Sequence, residues 1–206
     1  MLNLNDIYVT LDGYPLHYHL TVSTGEIVAI QGASGVGKTT LLNTVAGFIT
    51  PDKGEVSWDG EELTNAAVDQ RPVSMLFQDH NLFEHLSVLQ NLQLGFSHKV
   101  PTHLIEQSAQ TLGISEHLTK KPHQLSGGQR QRIGLLRTLL RPEPIILLDE
   151  PFAELDSATR EVAGNWVRNT AKSNGKTVLL VTHQSEDVER VADRCIELRY
   201  PESATQ

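Results

Sequence analysis

Phosphate chemistry is written early in the chain, in Gly32-Ala33-Ser34-Gly35-Val36-Gly37-Lys38-Thr39. This is the pattern GxxxxGKT. Glycines let backbone N–H groups close around phosphates, the lysine neutralises charge, and the threonine hydroxyl can hold Mg²⁺. Further along, Leu125-Ser126-Gly127-Gly128-Gln129 opens an apolar-periodic helix with a serine and two glycines. There, free N–H groups and the helix dipole can meet another anion. Ile145 to Leu148 then deliver Asp149-Glu150 at the end of a buried strand, where a carboxylate can reach a metal that bridges bound phosphates.

These residues need elements to hold them. Glu26 to Gln31 is a short apolar strand leading into the glycine loop, and Leu41, Leu42, Val45, Ala46 and Ile49 recur at helical spacing until Pro51, giving strand, loop, helix. Leu16, Tyr18, Leu20 and Val22 alternate with His17, His19, Thr21 and Ser23, a strand with one buried and one wet face. The two histidines fall on the wet side without an evident third ligand. Val56 and Trp58 alternate with polar residues before Asp59-Gly60, which predicts a hairpin in an antiparallel patch with Trp58 as packing. Val73 to Phe77, Ile145 to Leu148 and Thr177 to Val181 have the composition of strands covered on both faces of a parallel sheet. From Asp79 to about Leu140 the chain reads mainly helical, with Leu104, Ala109 and Leu112 among its apolar positions and Pro122 as a break. A later helix, about Ala158 to Lys172, places Val162, Trp166 and Val167 near one side and stops by Gly175.

Bulk properties narrow the function. With 206 residues the chain can bury a full core in one domain, or a domain with a subdomain. A net charge of −8 argues against a general nucleic-acid binder. Cys195 is the sole cysteine, which excludes an internal disulfide framework and a multi-cysteine zinc site. The apolar runs fall far short of the ~20 residues that span a bilayer, and the N-terminus does not read as a secretion signal.

The glycine octet and the serine–glycine tip, in this order, resemble the ATP-binding cassette (ABC) ATPases over nearly the whole chain. The resemblance implies an α/β P-loop NTPase (RecA-like) fold: a mostly parallel sheet core, an antiparallel β patch and a helical subdomain. It implies one nucleotide-binding domain over 1–206, with the helical subdomain at about 79–140. It implies ATP and Mg²⁺ as cofactors, with Gly32, Ser34, Gly35, Gly37, Lys38, Thr39 and Thr40 on the nucleotide. By the same resemblance Thr39, Gln78 and Asp149 attend the metal, Glu150 is the general base for the attacking water, and Gln78 and His183 meet the γ-phosphate or its water. Ser126, Gly127, Gly128 and Gln129 then serve the nucleotide of a second copy in a head-to-tail dimer, with Asp156 communicating across it.

The run Arg71 to Gln78, followed by Asn81 to Leu86, looks close to the ATPases of bacterial thiamine importers. That implies transmembrane permease subunits and a solute-binding protein as partners, with the chain peripheral at the cytoplasmic face of the inner membrane. Leu82, Phe83 and Leu86 are then either anchors for a permease helix or ordinary core. An exporter or lipoprotein-release motor is the alternative. A soluble cassette acting on ribosomes or DNA would bring two cassettes or a long coiled-coil insertion. Three departures stand out. The position where the family stacks adenine is Leu11, with Tyr8 and Tyr14 nearby; Gly134 replaces a usual alanine, and Ala153-Glu154 replaces Ser-Ala. Since the chain stops soon after Cys195-Ile196-Glu197-Leu198, no appended regulatory domain is expected.

Overall fold

A computed structural model describes residues 1–79, 82–96 and 101–199, so Asn81 of the importer-like run lies outside it. Two sheets carry the chain. The first is antiparallel in the order β2-β1-β4-β5, from β1 (Leu2–Leu11), β2 (Tyr14–Val22), β4 (Lys53–Trp58) and β5 (Glu61–Glu62). The second runs β6-β7-β8-β3-β9, from β6 (Val73–Leu76), β7 (Ile145–Asp149), β8 (Thr177–Val181), β3 (Ile27–Gln31) and β9 (Arg194–Glu197), with every pairing parallel.

Two Asp-Gly turns close the hairpins. Leu11 pairs Tyr14 across Asp12-Gly13, and Trp58 pairs Glu61 across Asp59-Gly60. In both turns φ is positive at both residues, +49° with +82° and +49° with +88°, the geometry that matches strand twist in a two-residue loop. On β2, Leu16, Tyr18, Leu20 and Val22 are buried and the intervening residues exposed, as the alternation predicts.

The period of two also divides the parallel sheet between two cores. Ile145, Leu147, Leu179 and Val181 pack with Leu41, Leu42 and Val45 of helix α1 (Lys38–Ala46) and with the antiparallel sheet. Ile146, Leu148, Val178 and Leu180 face the opposite way, toward helices α2 (Val88–Gln93), α3 (Thr102–Thr111), α4 (Gly127–Leu140) and α5 (Ser157–Ser173). A short helix, α6 (Ser185–Val191), leads into β9. Trp58 is packing, as predicted.

Two apolar assignments need correction. Leu104 is 40% exposed and Val162 is 44% exposed. The buried stripe of α3 runs through Ile105, Ala109 and the following Leu112, and that of α5 through Ala163, Val167 and Ala171. Each is spaced by three or four residues, so a neighbour one residue earlier sits about 100° around the helix and meets solvent. Pro122 starts a 3₁₀ turn, Pro122–Gln124, and a separate 3₁₀ turn covers Ser115–His117. Gly134 is buried within α4, so the penalty for glycine in an exposed helix is not the relevant one there.

Candidate nucleotide-hydrolysis site

Because all five strands of the second sheet are parallel, their carboxyl ends lie along one edge, the place where open α/β sheets receive ligands. The glycine loop follows β3, Asp149 ends β7 with Glu150 just beyond, His183 lies two residues past β8, and Gln78 lies two past β6, exposed. Hydrogen bonding gathers Thr39, Asp149, Glu150 and His183. Gln78 shares the edge.

The loop can curve because Gly32, Gly35 and Gly37 have φ of +146°, +79° and +98°, where a side chain would be strained. Space forbids one too: a Cβ at Gly32 would stand 2.5 Å from the Leu198 carbonyl oxygen, and one at Gly37 2.5 Å from the Tyr18 hydroxyl. Lys38 folds over this loop, its Nζ donating to the Gly32 and Ala33 carbonyls at 2.9 Å each. The ammonium is thereby held over the backbone arc where phosphates would lie. Tyr18 donates to the Gly37 carbonyl at 2.9 Å and takes a hydrogen bond from buried Thr40. Burial pushes its phenol up to about 12, so it keeps its proton at neutral pH. Sequence reasoning gave Tyr18 only a core role, since the strand pattern carries no sign of what lies above it.

Thr39 Oγ1 donates to Asp149 Oδ2 at 2.8 Å. Burial raises the Asp149 carboxyl, with the Thr39 hydrogen bond and Lys38 working against the rise and the Glu150 charge adding to it. A hydroxyl and a buried carboxylate converging beside a phosphate loop are hard oxygen donors that fit Mg²⁺, and a cation there would offset the cost of keeping Asp149 charged.

Among the described residues Glu150 is one of four non-glycine residues with positive φ, at +47°. Its N–H donates to the Val181 carbonyl at 3.0 Å, and its own carbonyl accepts from Ala153 N–H at 3.3 Å and from Gln131 Nε2 of α4 at 3.3 Å. So fixed, its side chain turns to His183, with Nδ1 and Oε2 3.0 Å apart. Behind them, Thr182 Oγ1 donates to buried Asp187 at 2.9 Å, and Arg160 of α5 donates to the Phe152 carbonyl at 3.0 Å and the Gln184 side chain at 2.6 Å. Neither Arg160 nor Gln184 belongs to a motif, so the sequence offered no signal for them.

Ser126 caps α4, its hydroxyl accepting from Gln129 N–H at 3.3 Å while Gln129 Oε1 accepts from Ser126 N–H at 2.9 Å, a reciprocal box. Gln129 also lies 2.9 Å from Nε2 of buried His117. The helix tip abuts the segment after Glu150. A Cβ at Gly127 would stand 1.9 Å from Glu154 Oε2, and one at Gly128 2.9 Å from the Glu154 carbonyl oxygen. Asp156 caps α5, accepting from Thr159 N–H at 3.0 Å and Thr159 Oγ1 at 2.8 Å; these bonds hold its carboxyl below the usual range.

Around the residues named for adenine, Tyr8 stacks on His17 at 4.4 Å, and Tyr14 is 73% exposed at the hairpin beside Leu11. Asp6 lies within 3.3 Å of both His17 and His19, yet no group of three or more His, Cys, Asp or Glu side chains among the described residues could hold a metal ion. Beyond β6 a groove of ≈ 340 Å³ is lined by Phe48, Phe77, Phe83 and Leu94 among others. Phe83 is half-exposed in it, whereas Leu82 packs against the core.

A parallel sheet whose strand ends join a phosphate loop to a carboxylate pair defines a nucleotide-hydrolysing P-loop protein. The family model for ABC transporters matches residues 16–153, and the chain belongs to that family. It is 45% identical over 197 residues to the thiamine import ATP-binding protein ThiQ of Vibrio parahaemolyticus, covering 93% of this chain and 84% of that one. Against the Escherichia coli protein of the same name identity is 44% over 201 residues, covering 95% and 87%. The solved dimeric structure of a bacterial ABC transporter cassette superposes with a TM-score of 0.84 at 29% identity, covering 96% of this chain and 94% of that one. A dimeric post-hydrolysis cassette bound to ADP and Pi gives 0.81 at 30%, covering 97% and 94%. The chain is thus an ABC ATPase that binds and hydrolyses ATP with Mg²⁺. Among the described residues no helix is long and apolar enough to cross a membrane.

Proposed function

We propose that this chain is the motor subunit of an importer for thiamine or a closely related small solute, peripheral at the cytoplasmic face of the inner membrane. The observation that carries the cargo is its 44–45% identity to thiamine import ATPases over more than nine-tenths of its length. The whole of 1–206 acts as one nucleotide-binding domain, with about 79–140 as its helical subdomain. Permease subunits dock a helix in the groove beside Phe83, and a solute-binding protein delivers cargo to them.

Within the site, Gly32, Ser34, Gly35, Gly37, Thr39 and Thr40 cradle the phosphates, and Lys38 turns from two carbonyls to phosphate oxygens. Thr39, Asp149 and Gln78 would hold Mg²⁺, which when bound neutralises charge on the β- and γ-phosphates. Glu150 takes the proton of the attacking water, His183 orients that water and the γ-phosphate, and Gln78 reports phosphate loss toward the groove. Ser126 to Gln129 of a second copy close over the same phosphates with their helix N-terminus, and Asp156 relays between the copies. Loss of phosphate then removes the contacts that join the two copies.

The test is reconstitution in a lipid bilayer with the permease and binding protein. Thiamine should stimulate ATP hydrolysis above the solute-free rate. Stimulation by another solute but not by thiamine overturns the cargo, and a chain that binds no permease overturns the motor role.

A further inference from the structure

Arg160 can only donate hydrogen bonds, since its guanidinium has five N–H groups and no acceptor. Its Nη1 lies 2.6 Å from the Gln184 side chain, so the atom facing it is the carbonyl Oε1. The amide orientation of Gln184 is thereby fixed, and its Nε2, a pure donor, is left 3.4 Å from His183 Nε2. That ring nitrogen must present its lone pair, which puts the proton of a neutral imidazole on Nδ1. At 3.0 Å from Nδ1 lies Glu150 Oε2, an acceptor. Donor and acceptor alternate without conflict from the cation on α5 to the carboxylate after β7.

We infer that Arg160, acting through Gln184, sets His183 in the Nδ1–H tautomer against Glu150, making Arg160 and Gln184 positioning residues for hydrolysis. Arg160 suits the task because it is anchored independently. Its side chain is largely buried, it also donates to the Phe152 carbonyl at 3.0 Å, and its Nε faces buried Asp187 at 3.9 Å. Asp187 in turn accepts from Thr182 Oγ1, which accepts from Gln184 N–H at 3.2 Å. Two routes therefore tie the loop carrying His183 to α5 and α6. The consequence rests on the role given to His183 above. A γ-phosphate oxygen needs a donor at Nε2, and in the resting tautomer that nitrogen has none. Nucleotide must displace Gln184 from Nε2 and bring a proton there, onto a ring whose Nδ1–H is already set on Glu150, so losing that preset orientation slows hydrolysis.

The test reads the ring directly. In the nucleotide-free protein, imidazole ¹⁵N shifts of His183, assigned by comparison with His183→Ala, should report Nδ1–H. Gln184→Leu, a change at the half-buried residue that precedes α6, should abolish that preference. Gln184→Glu should move the proton toward Nε2, and Arg160→Lys should shift the ring in the same sense as Gln184→Leu. In Gln184→Leu kcat should fall about tenfold, the lower end of what outer partners of a working histidine contribute. A wild-type ring protonated at Nε2, or a tautomer unchanged in Gln184→Leu, overturns the inference. A shifted tautomer with unchanged kcat overturns its bearing on hydrolysis. Normal turnover in His183→Ala with the expected shifts sinks the role of His183 and leaves the hydrogen-bond chain standing.

Discussion

Glu150 and Asp149 are neighbours in sequence but meet different demands. Glu150 stands in a left-handed conformation pinned by three hydrogen bonds to its own N–H and carbonyl, one of them from the Gln131 side chain, a strain that persists only where surroundings over-determine it. Its side chain is thus aimed by the backbone and met by His183. Replacing it with glutamine keeps the shape and removes the carboxylate proposed as the base. Nucleotide binding, followed by fluorescence titration, should be retained in Glu150→Gln while phosphate release slows by about 10²–10⁴; turnover near the wild-type rate would remove Glu150 from the role. Asp149 is the opposite case, a carboxylate held at a cost. Burial raises its pKa above 3.8, so just above that pH the folded chain keeps a proton the unfolded chain has released. Stability from this group therefore falls as pH rises through the window, and the deficit remains at neutral pH. Asp149→Asn should raise Tm at pH 7, by about 2–4 °C for each kcal/mol recovered, flatten that part of the pH–stability curve, and abolish Mg²⁺-dependent hydrolysis. A lower Tm in calorimetry would mean that the charge is compensated in the free protein.

Among the elements, the junction of α1 with the loop before β6 depends on one cation. Arg71 is buried and donates to the Thr44, Val45, Thr64 and Ala66 carbonyls at 2.9–3.1 Å. It closes the C-terminal end of the helix that the glycine loop begins, and burial lowers its pKa. Arg71→Leu leaves those carbonyls without a donor and should cost about 3 kcal/mol in urea unfolding; a change under about 1 kcal/mol would show that water replaces the guanidinium. Arg71 was visible in the sequence only as part of a motif-like run, because a buried arginine looks like any other until its carbonyls are known. What the sequence did disclose follows a simple rule. The strands covered on both faces and the glycine loop announce themselves by local composition. β1, β9 and α6 carry no such local signal: β1 interrupts its alternation at a bulge between Leu4 and Ile7, β9 is mostly exposed, and α6 is a seven-residue helix. Leu104 and Val162 show the limit of periodicity, since apolar neighbours one residue apart offer two registers and only tertiary packing selects between them. For the site, the residues of named motifs were legible. Tyr18, Gln131, Arg160 and Gln184 were not, because their parts are played through contacts between distant segments.

At the scale of the whole molecule the question is what completes the phosphate pocket. The tip of α4 lies against Glu154 and Leu155 of its own chain, and no bond joins it to Lys38, whose Nζ is engaged with Gly32 and Ala33. Its N-terminal N–H groups suit an anion brought from outside, and the two cassettes it superposes on are dimers. Each copy carries a net charge of −8, and bound ATP adds to it. Association therefore works against repulsion, which salt screens over about 8–10 Å. In the hydrolysis-impaired Glu150→Gln background, ATP should drive the chain from monomer to dimer in light scattering, more readily as salt approaches about 0.3 M. Adding Ser126→Arg puts a bulky side chain where the proposed shared site would receive the partner's phosphates, so that double variant should still bind ATP yet stay monomeric. The substitution also removes the cap of α4, which makes a control necessary. Ser126→Ala removes the same cap without the bulk, and it should dimerise where Ser126→Arg does not. Dimerisation of the arginine variant at the parent's ATP concentration would place the helix tip outside the shared pocket, leaving each subunit to close its own site.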